Sequence, residues 1–294
     1  MEVVDDICGL EGRDPASQPF CVIARPTDRD LVEAATASLG LTHDRLLDEP
    51  QGHLHPSAHV EGEDVFVLAF TLERLMKPLP VQLLAVRGGL LVIAADGALD
   101  VVRTEVPRVE GDGHVALASV LVGLGRATGA ALDDLTDEVR DIAARAMGFT
   151  STPERSELTD MRARLFVAQQ LCAAHESLLG PDQDLVRSLP KTTLRALRQA
   201  RAAFADAEAT AARLYALAGD VLDQQSALVN ERLTLVATVF LPLSVSTSFF
   251  GMNFGWMTSR IGTAWSFFAL GVVFPMLITV GTALLMRRLT ERRS

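Results

Sequence analysis

Three groups of side chains in this 294-residue sequence have types and spacings that could do chemistry. His53, His55 and His59 lie close enough to share a metal ion, in a stretch punctuated by glycine and proline; solvated loop histidines account for the same spacing. Asp133, Asp134, Asp137, Glu138 and Asp141 stack carboxylates one helical turn apart, where like charges repel unless a cation lies between them. A solvated helix face gives the same pattern. The third group is neutral. Gly251-Met252-Asn253 closes a long uncharged stretch, and the Asn253 carboxamide could accept hydrogen bonds from the water shell of a cation or cap a helix end. No nucleophile motif and no glycine-rich phosphate loop accompanies these groups, so an enzyme reading has no support. Cys8, Cys21 and Cys172 lack paired spacing and read as reduced thiols rather than a disulfide or zinc framework.

The elements that must position these groups change character along the chain. Over residues 1–130, short apolar runs alternate with turn signals: Phe20–Ala24, Val65–Thr71, Val81–Val86 and Leu90–Ala94 are strand-like, with Arg87-Gly88-Gly89 as a hairpin turn. Asp30–Leu39 and Val115–Thr128 have helical periodicity, which makes this an α/β domain. Residues 131–190 read as an antiparallel helix pair, Leu132–Met147 and Pro153–Leu179, the second ended by Gly180-Pro181. A helix then starts at Thr192 and meets no proline until Pro242. Along it Ala200, Phe204, Ala207, Ala211, Leu214, Ala218, Val221, Gln225 and Leu228 form a seam of mostly small residues at 4-3 spacing, suited to close helix packing. A helix from 191 to 250 is on the order of 75 Å or more long and needs partners along its length, which predicts an oligomer. Asp206, Glu208, Asp220 and Asp223 could face a shared axis.

Between Arg232 and Arg287 the only charged residue is Arg260. Leu233–Phe250 and Trp265–Met286 are each long enough to cross the ~30 Å hydrocarbon layer as helices. Residues 251–264 form a short loop between them, and 287–294 a basic tail. That tail favours the cytoplasmic side, and the acidic start Met1-Glu2-Val3-Val4-Asp5-Asp6 does not resemble a signal peptide, so both termini are expected inside an inner (plasma) membrane. Residues 1–232 carry a net charge of −14 and residues 233–294 one of +4. An acidic soluble part would repel nucleic acid and attract cations. In the first span Thr234, Thr238, Ser244, Ser246, Thr247 and Ser248 supply more hydroxyls than a lipid anchor needs, and Pro242 removes one backbone hydrogen bond.

Gly-Met-Asn at the end of the first of two C-terminal spans, with Leu233-Thr234-Leu235-Val236-Ala237-Thr238-Val239-Phe240-Leu241-Pro242-Leu243 upstream, resembles the CorA magnesium transporter family. The resemblance implies an α/β cytoplasmic domain followed by long helices and a two-span transmembrane hairpin, assembled as a funnel-shaped homopentamer in the lipid bilayer. It implies a selectivity filter of Gly251, Met252 and Asn253, with five Asn253 carboxamides holding a hydrated ion. Mg²⁺ keeps several of its waters in most sites, and neutral carboxamides would bind that shell without trapping the ion. Carried back along the family pattern, the pore face holds Asn230, Leu233, Ala237, Leu241, Ser244 and Ser248, and five copies of Leu233, Ala237 and Leu241 make an apolar constriction. The function implied is passive divalent-cation uptake, of Mg²⁺ above all, gated by cytoplasmic cation. Two departures bear on selectivity. The loop Gly255-Trp256-Met257-Thr258-Ser259-Arg260 lacks the proline and acid that many relatives place after the motif, and Ala227 stands where many carry an asparagine. Zn²⁺, Co²⁺ or Ni²⁺ are therefore alternative substrates, and a non-conducting membrane-anchored sensor is the rival from another class.

Overall fold

The structure, a computed structural model, describes all residues except 11–12, 14, 16–17, 42–54, 74–76, 147–151, 253–262, 264, 266–267 and 292–294. The chain divides into two compact units, Met1–Leu222 and Asp223–Ser294.

The first unit is built on a mixed six-stranded sheet. Its strands are β1 (Glu2–Val4), β2 (Phe20–Ala24), β3 (Ser57–Glu61), β4 (Asp64–Leu72), β5 (Pro78–Val86) and β6 (Gly89–Ala94), in the spatial order β1-β2-β6-β5-β4-β3. The β1-β2-β6 pairs are parallel and the remaining pairs antiparallel. The four strands read from the sequence are all present; β1 and β3 are the two edges, too short or too polar to signal themselves. Alternate residues feed opposite faces. Cys21, Val67, Leu83, Leu90 and Val92 join one core, and Phe20, Val22, Leu84, Leu91 and Ile93 another. Because both faces are covered, β6 reads as an unbroken apolar run.

Helix α1 (Arg29–Leu39) closes the second core through Leu31, Val32, Ala35 and Leu39, and ends at Gly40 in the left-handed conformation, φ 72°. Helices α2 (Asp96–Glu105) and α3 (Gly113–Ala146) cover the other face. The sequence pattern divides residues 115–147 into two helices, whereas α3 is one helix of 34 residues. Gly125 does not end it, since its bare Cα lets Ala203 and Phe204 approach, and Gly129 costs the helix about 1 kcal/mol without breaking it. The helix is apolar enough to resemble a membrane span, but 61% of its apolar window is buried, as in a core helix.

Helix α4 (Thr152–Leu178) packs its Leu158, Met161, Leu165, Ala168 and Cys172 stripe inward. A short helix α5 (Asp184–Ser188) then leads to α6 (Leu194–Gly251), 58 residues without interruption. The seam expected on α6 is real: Ala200, Phe204, Ala207, Ala211, Leu214, Ala218, Val221 and Gln225 are all buried. Its partner differs from the expected one. In the first unit the seam is filled by the chain's own core, which includes α3 and α4, so an oligomer is not required to cover it. Leu228, the last residue of the pattern, is 41% exposed.

Contacts between α4 and α6 run antiparallel, pairing Glu176 with Arg201, Gln169 with Glu208, and Arg162 with Tyr215. The Glu176–Arg201 pair, at 2.9 Å, is partly exposed and contributes a fraction of a kcal/mol. The buried centre of this register is His175. Its ring stacks on Phe204 with centroids 4.2 Å apart and meets the Phe70 ring edge-on. The His175 Nδ1–H donates to the Leu171 carbonyl at 2.8 Å, and Nε2 accepts the Phe70 backbone N–H at 3.0 Å. One neutral imidazole thus joins β4, α4 and α6, and the two bonds fix its tautomer. Burial pushes its pKa down to about 4, the Leu171 bond opposes that, and nearby His55 adds to it. Burial likewise pushes the Cys172 thiol up to about 12, aided by Glu208, and raises that of Cys21; neither is poised to react or to bind metal.

Two predictions follow from this packing. A Cβ at Gly113 would overlap the carbonyl oxygens of Gly89 and Val86, where α3 begins against the β5–β6 hairpin. Gly113→Ala should therefore destabilise the first unit by about 3 kcal/mol, at the upper end of overpacking costs. Gly129→Ala, with open space around it, should stabilise by about 0.5–1 kcal/mol. Denaturant melts of the two variants should move in opposite directions. For His175 the native pKa lies below the unfolded value of ~6.5. Above that pH neither state gains a proton. As pH falls towards about 4 the unfolded chain takes up a proton that the fold refuses, so stability drops by about 3 kcal/mol across the window. Melts of detergent-solubilised protein between pH 7 and pH 4 should show a shallower loss in His175→Gln than in the parent.

Candidate functional site

Beyond Gln225 the side chains of α6 change from buried to exposed. Leu228, Val229, Leu233, Leu235, Val236, Val239, Phe240, Leu241, Leu243 and Val245 are all exposed large apolar residues on a regular helix. Soluble monomers rarely expose so continuous an apolar coat, which is the mark of a protein or membrane contact surface. The backbone supports the run through Pro242, because a missing N–H removes one hydrogen bond while its neighbours hold the turn.

Asn230, Leu233, Ala237, Leu241, Ser244 and Ser248 fall on one face of this helix, since they step by three or four through unbroken α-geometry. Leu233 and Leu241 are 62% and 70% exposed, and Ser244 is half-buried. The hydroxyls beside that face satisfy themselves. Thr234 Oγ1 donates to the Asn230 carbonyl at 2.8 Å, Thr238 Oγ1 to Thr234 at 2.7 Å, and Thr247 Oγ1 to Leu243 and Ser244 at 3.0 and 3.1 Å. Such back-bonding makes threonine tolerable in lipid as well as at a polar face. Hydroxyl content alone therefore does not separate a conduit from an anchor.

The helix ends at Gly251, and Met252 follows in a bend, 57% exposed. Asn253 lies outside the described residues, as do most of the loop and His53. After the loop, the chain makes a π-helical turn at Ala269–Val273, in which the Phe274 N–H donates to the Ala269 carbonyl five residues back, and continues as α7 (Phe274–Glu291). The described part of this segment holds a shorter apolar helix, Gly271–Gly281.

Among the described residues the other candidate groups form no shared metal site. His55 donates its Nδ1–H to the Pro56 carbonyl, and His59 sits on β3 opposite Phe66. Asp133, Asp134, Asp137, Glu138 and Asp141 all lie on the exposed side of α3, with Asp137 near Arg140. Asp206, Asp220 and Asp223 are exposed on α6, while Glu208 accepts a hydrogen bond from Gln169. Among the described residues no three His, Cys, Asp or Glu side chains are grouped to hold a metal ion. Sequence reasoning passed over His175, whose only signal was its place on the apolar stripe of α4.

Comparison with known proteins bears on the whole of this architecture. The profile of the CorA-like Mg²⁺ transporter protein family matches residues 77–288. The complete CorA magnesium transporter of Methanocaldococcus jannaschii superposes with a TM-score of 0.61 at 15% identity, covering 91% of this chain and 90% of that one. The full-length CmaX protein gives 0.58 at 13% identity, covering 92% and 88%. The cytoplasmic domain of ZntB from Vibrio parahaemolyticus gives 0.54 at 14% identity, covering 73% and 89%. No curated protein sequence matches the chain. At these identities the superpositions speak for the fold, and the profile, which spans residues 77–288, shows that this chain belongs to the CorA-like Mg²⁺ transporter family.

Proposed function

We propose that the protein is a homopentameric divalent-cation channel of the membrane, with Leu233–Phe250 and Trp265–Met286 as its two spans, both termini on the cytoplasmic side, and Mg²⁺ as its principal substrate. The observation that carries this reading is the exposed apolar length of α6, from Leu228 to Val245, continuous with the Gly251-Met252 end of the family's motif. Five copies around an axis would give that surface both of the partners it needs, neighbouring helices and lipid.

In this reading Gly251, Met252 and Asn253 form the outer filter, and Asn230, Leu233, Ala237, Leu241, Ser244 and Ser248 line the pore. A hydrated cation would meet carboxamide oxygens at Asn253 and the hydroxyls of Ser248 and Ser244. It would then meet a ring of Leu241, Ala237 and Leu233 that offers nothing to its water shell. Such a ring stops ions by excluding water. The driving force is the membrane potential, at ~2.3 kcal/mol per charge per 100 mV. Soluble parts with a net charge of −14 over residues 1–232, gathered around one axis, would bind divalent cations that relieve their repulsion and close the pore. A second substrate class has its own support. The loop after the motif carries Arg260 and no acid, and the soluble unit shares its fold with a ZntB domain. Zn²⁺, Co²⁺ and Ni²⁺ belong in the same assay.

Uptake of Mg²⁺, Zn²⁺, Co²⁺ and Ni²⁺ into proteoliposomes tests the reading directly. Asn253→Ala should lower uptake of the preferred ion by tenfold or more, about 1.4 kcal/mol of lost stabilisation at the filter, while the oligomer stays assembled on size exclusion. Unchanged uptake would remove Asn253 from the filter. Leu233→Ser and Leu241→Ser should wet the constriction, so that uptake persists at internal cation levels that close the parent. If both serine variants shut as tightly as the parent, the barrier lies at another level of the helix.

A further inference from the structure

Among the described residues, each long helical segment of the second unit has a defect in its hydrogen-bond ladder, and the two defects fall at similar sequence distances from the connecting loop. In α6 the defect is Pro242, which has no N–H to offer the Thr238 carbonyl. In the other segment it is the π-turn Ala269–Val273 followed directly by Pro275, which has none to offer Gly271. Pro242 lies nine residues before Gly251, and Pro275 ten residues after Trp265. In sequence the two defects thus lie at nearly equal distances from the loop that joins the two segments.

Side-chain burial marks the same positions. Between Ala227 and Val245, Thr238 and Ser244 are the only half-buried residues among the described side chains, and they bracket Pro242. Near the start of α7, Pro275 is buried while Phe274, Met276 and Leu277 on either side are exposed, and Ile278 and Thr279 are half-buried. Thr279 Oγ1 donates to the Pro275 carbonyl at 2.9 Å, adding a three-centre bond just after the π-turn. A π-turn holds one residue more than an α-turn and is the usual place where a helix re-registers or bends.

We propose that Pro242 and the Ala269–Pro275 turn form a single hinge plane across the two membrane spans, near the bilayer midplane. This rests on the channel reading above. The plane cuts α6 immediately after Leu241, the last member of the apolar ring. On the outer side are Leu243–Gly251 and the filter; on the inner side are Leu233, Ala237 and Leu241. Each span can then bend at the same level, and the apolar ring can change its radius without dragging the filter out of register. A straight helix pair would move both together.

The test restores the missing N–H groups. Pro242→Ala and Pro275→Ala, singly and together, replace a helix breaker by the best helix former, so the oligomer should assemble as the parent does on size exclusion. A spin label is placed in turn at Leu235, on the inner side, and at Met252, on the outer side, in a background lacking Cys8, Cys21 and Cys172. Distances between protomers are then measured in nanodiscs with millimolar Mg²⁺ and with EDTA. In the parent, removing Mg²⁺ should broaden and lengthen the Leu235 distribution and leave that of Met252 narrow. In the double alanine variant, the two positions should respond together or neither should respond, and Mg²⁺-dependent closure measured by flux should be largely lost. Parent labels that move in equal measure at both positions, or a double variant that keeps the parent's split response, would overturn the hinge. Failure of the channel reading looks different: a parent that assembles but passes no cation in proteoliposomes.

Discussion

The packing of the first unit depends on a neutral imidazole. His175 bridges a strand, a helix and the long helix with two hydrogen bonds and an aromatic stack, and it does so only while it carries a single proton. A second proton would turn Nε2 from acceptor to donor and set it against the Phe70 N–H. Burying Phe204 against the ring contributes up to about 3 kcal/mol of apolar burial, and the polar contacts of α4 with α6 fix their register. Small residues at Ala200, Ala207, Ala211 and Ala218 let the helices approach closely enough for that register to be read by Arg201, Glu208 and Tyr215.

This arrangement divides the labour along one helix. Up to Val221, α6 is held within the first unit by its own chain, and the seam there is filled within a single copy. From Leu228 onward it presents apolar side chains that its own chain leaves exposed. Such a helix has one end covered by its own fold and another whose apolar side chains the single chain leaves uncovered. The transition takes place within about one helical turn, between Gln225 and Leu228. Membership of the CorA-like family accords with such a division, since the profile spans both regimes.

Much of the fold was legible in the sequence because its signals are local. Runs such as Leu90–Ala94 are short, apolar and bounded by glycine or acid, and the strands fall where those runs fall. The length of α6 follows from the absence of a break: no proline falls between Pro190 and Pro242. The edge strands were not legible, since Ser57–Glu61 alternates polar and apolar residues without a distinctive run. Nor was the unity of α3, because Gly125 and Gly129 look like breaks until the packing of Ala203 and Phe204 against Gly125 is known. The seam on α6 was visible but its occupant was not: spacing says that a helix is covered on one side and cannot say by what. At the candidate site the pattern located a shared face on α6, and geometry added that its neighbouring threonines are already bonded to their own helix.

Those bonds determine how the exposed part of α6 meets a polar visitor. A hydroxyl has one proton, and Thr234, Thr238 and Thr247 each spend theirs on a carbonyl of the preceding turn. What they turn outward is lone pairs only. These three hydroxyls therefore offer a water molecule or an ion an oxygen that accepts but does not donate. Anions, which need donors, find none in these hydroxyls, whereas the protons of a cation's water shell find oxygen. At these three positions neutral residues thus suit a hydrated cation better than an anion, without the desolvation penalty that a buried carboxylate would carry.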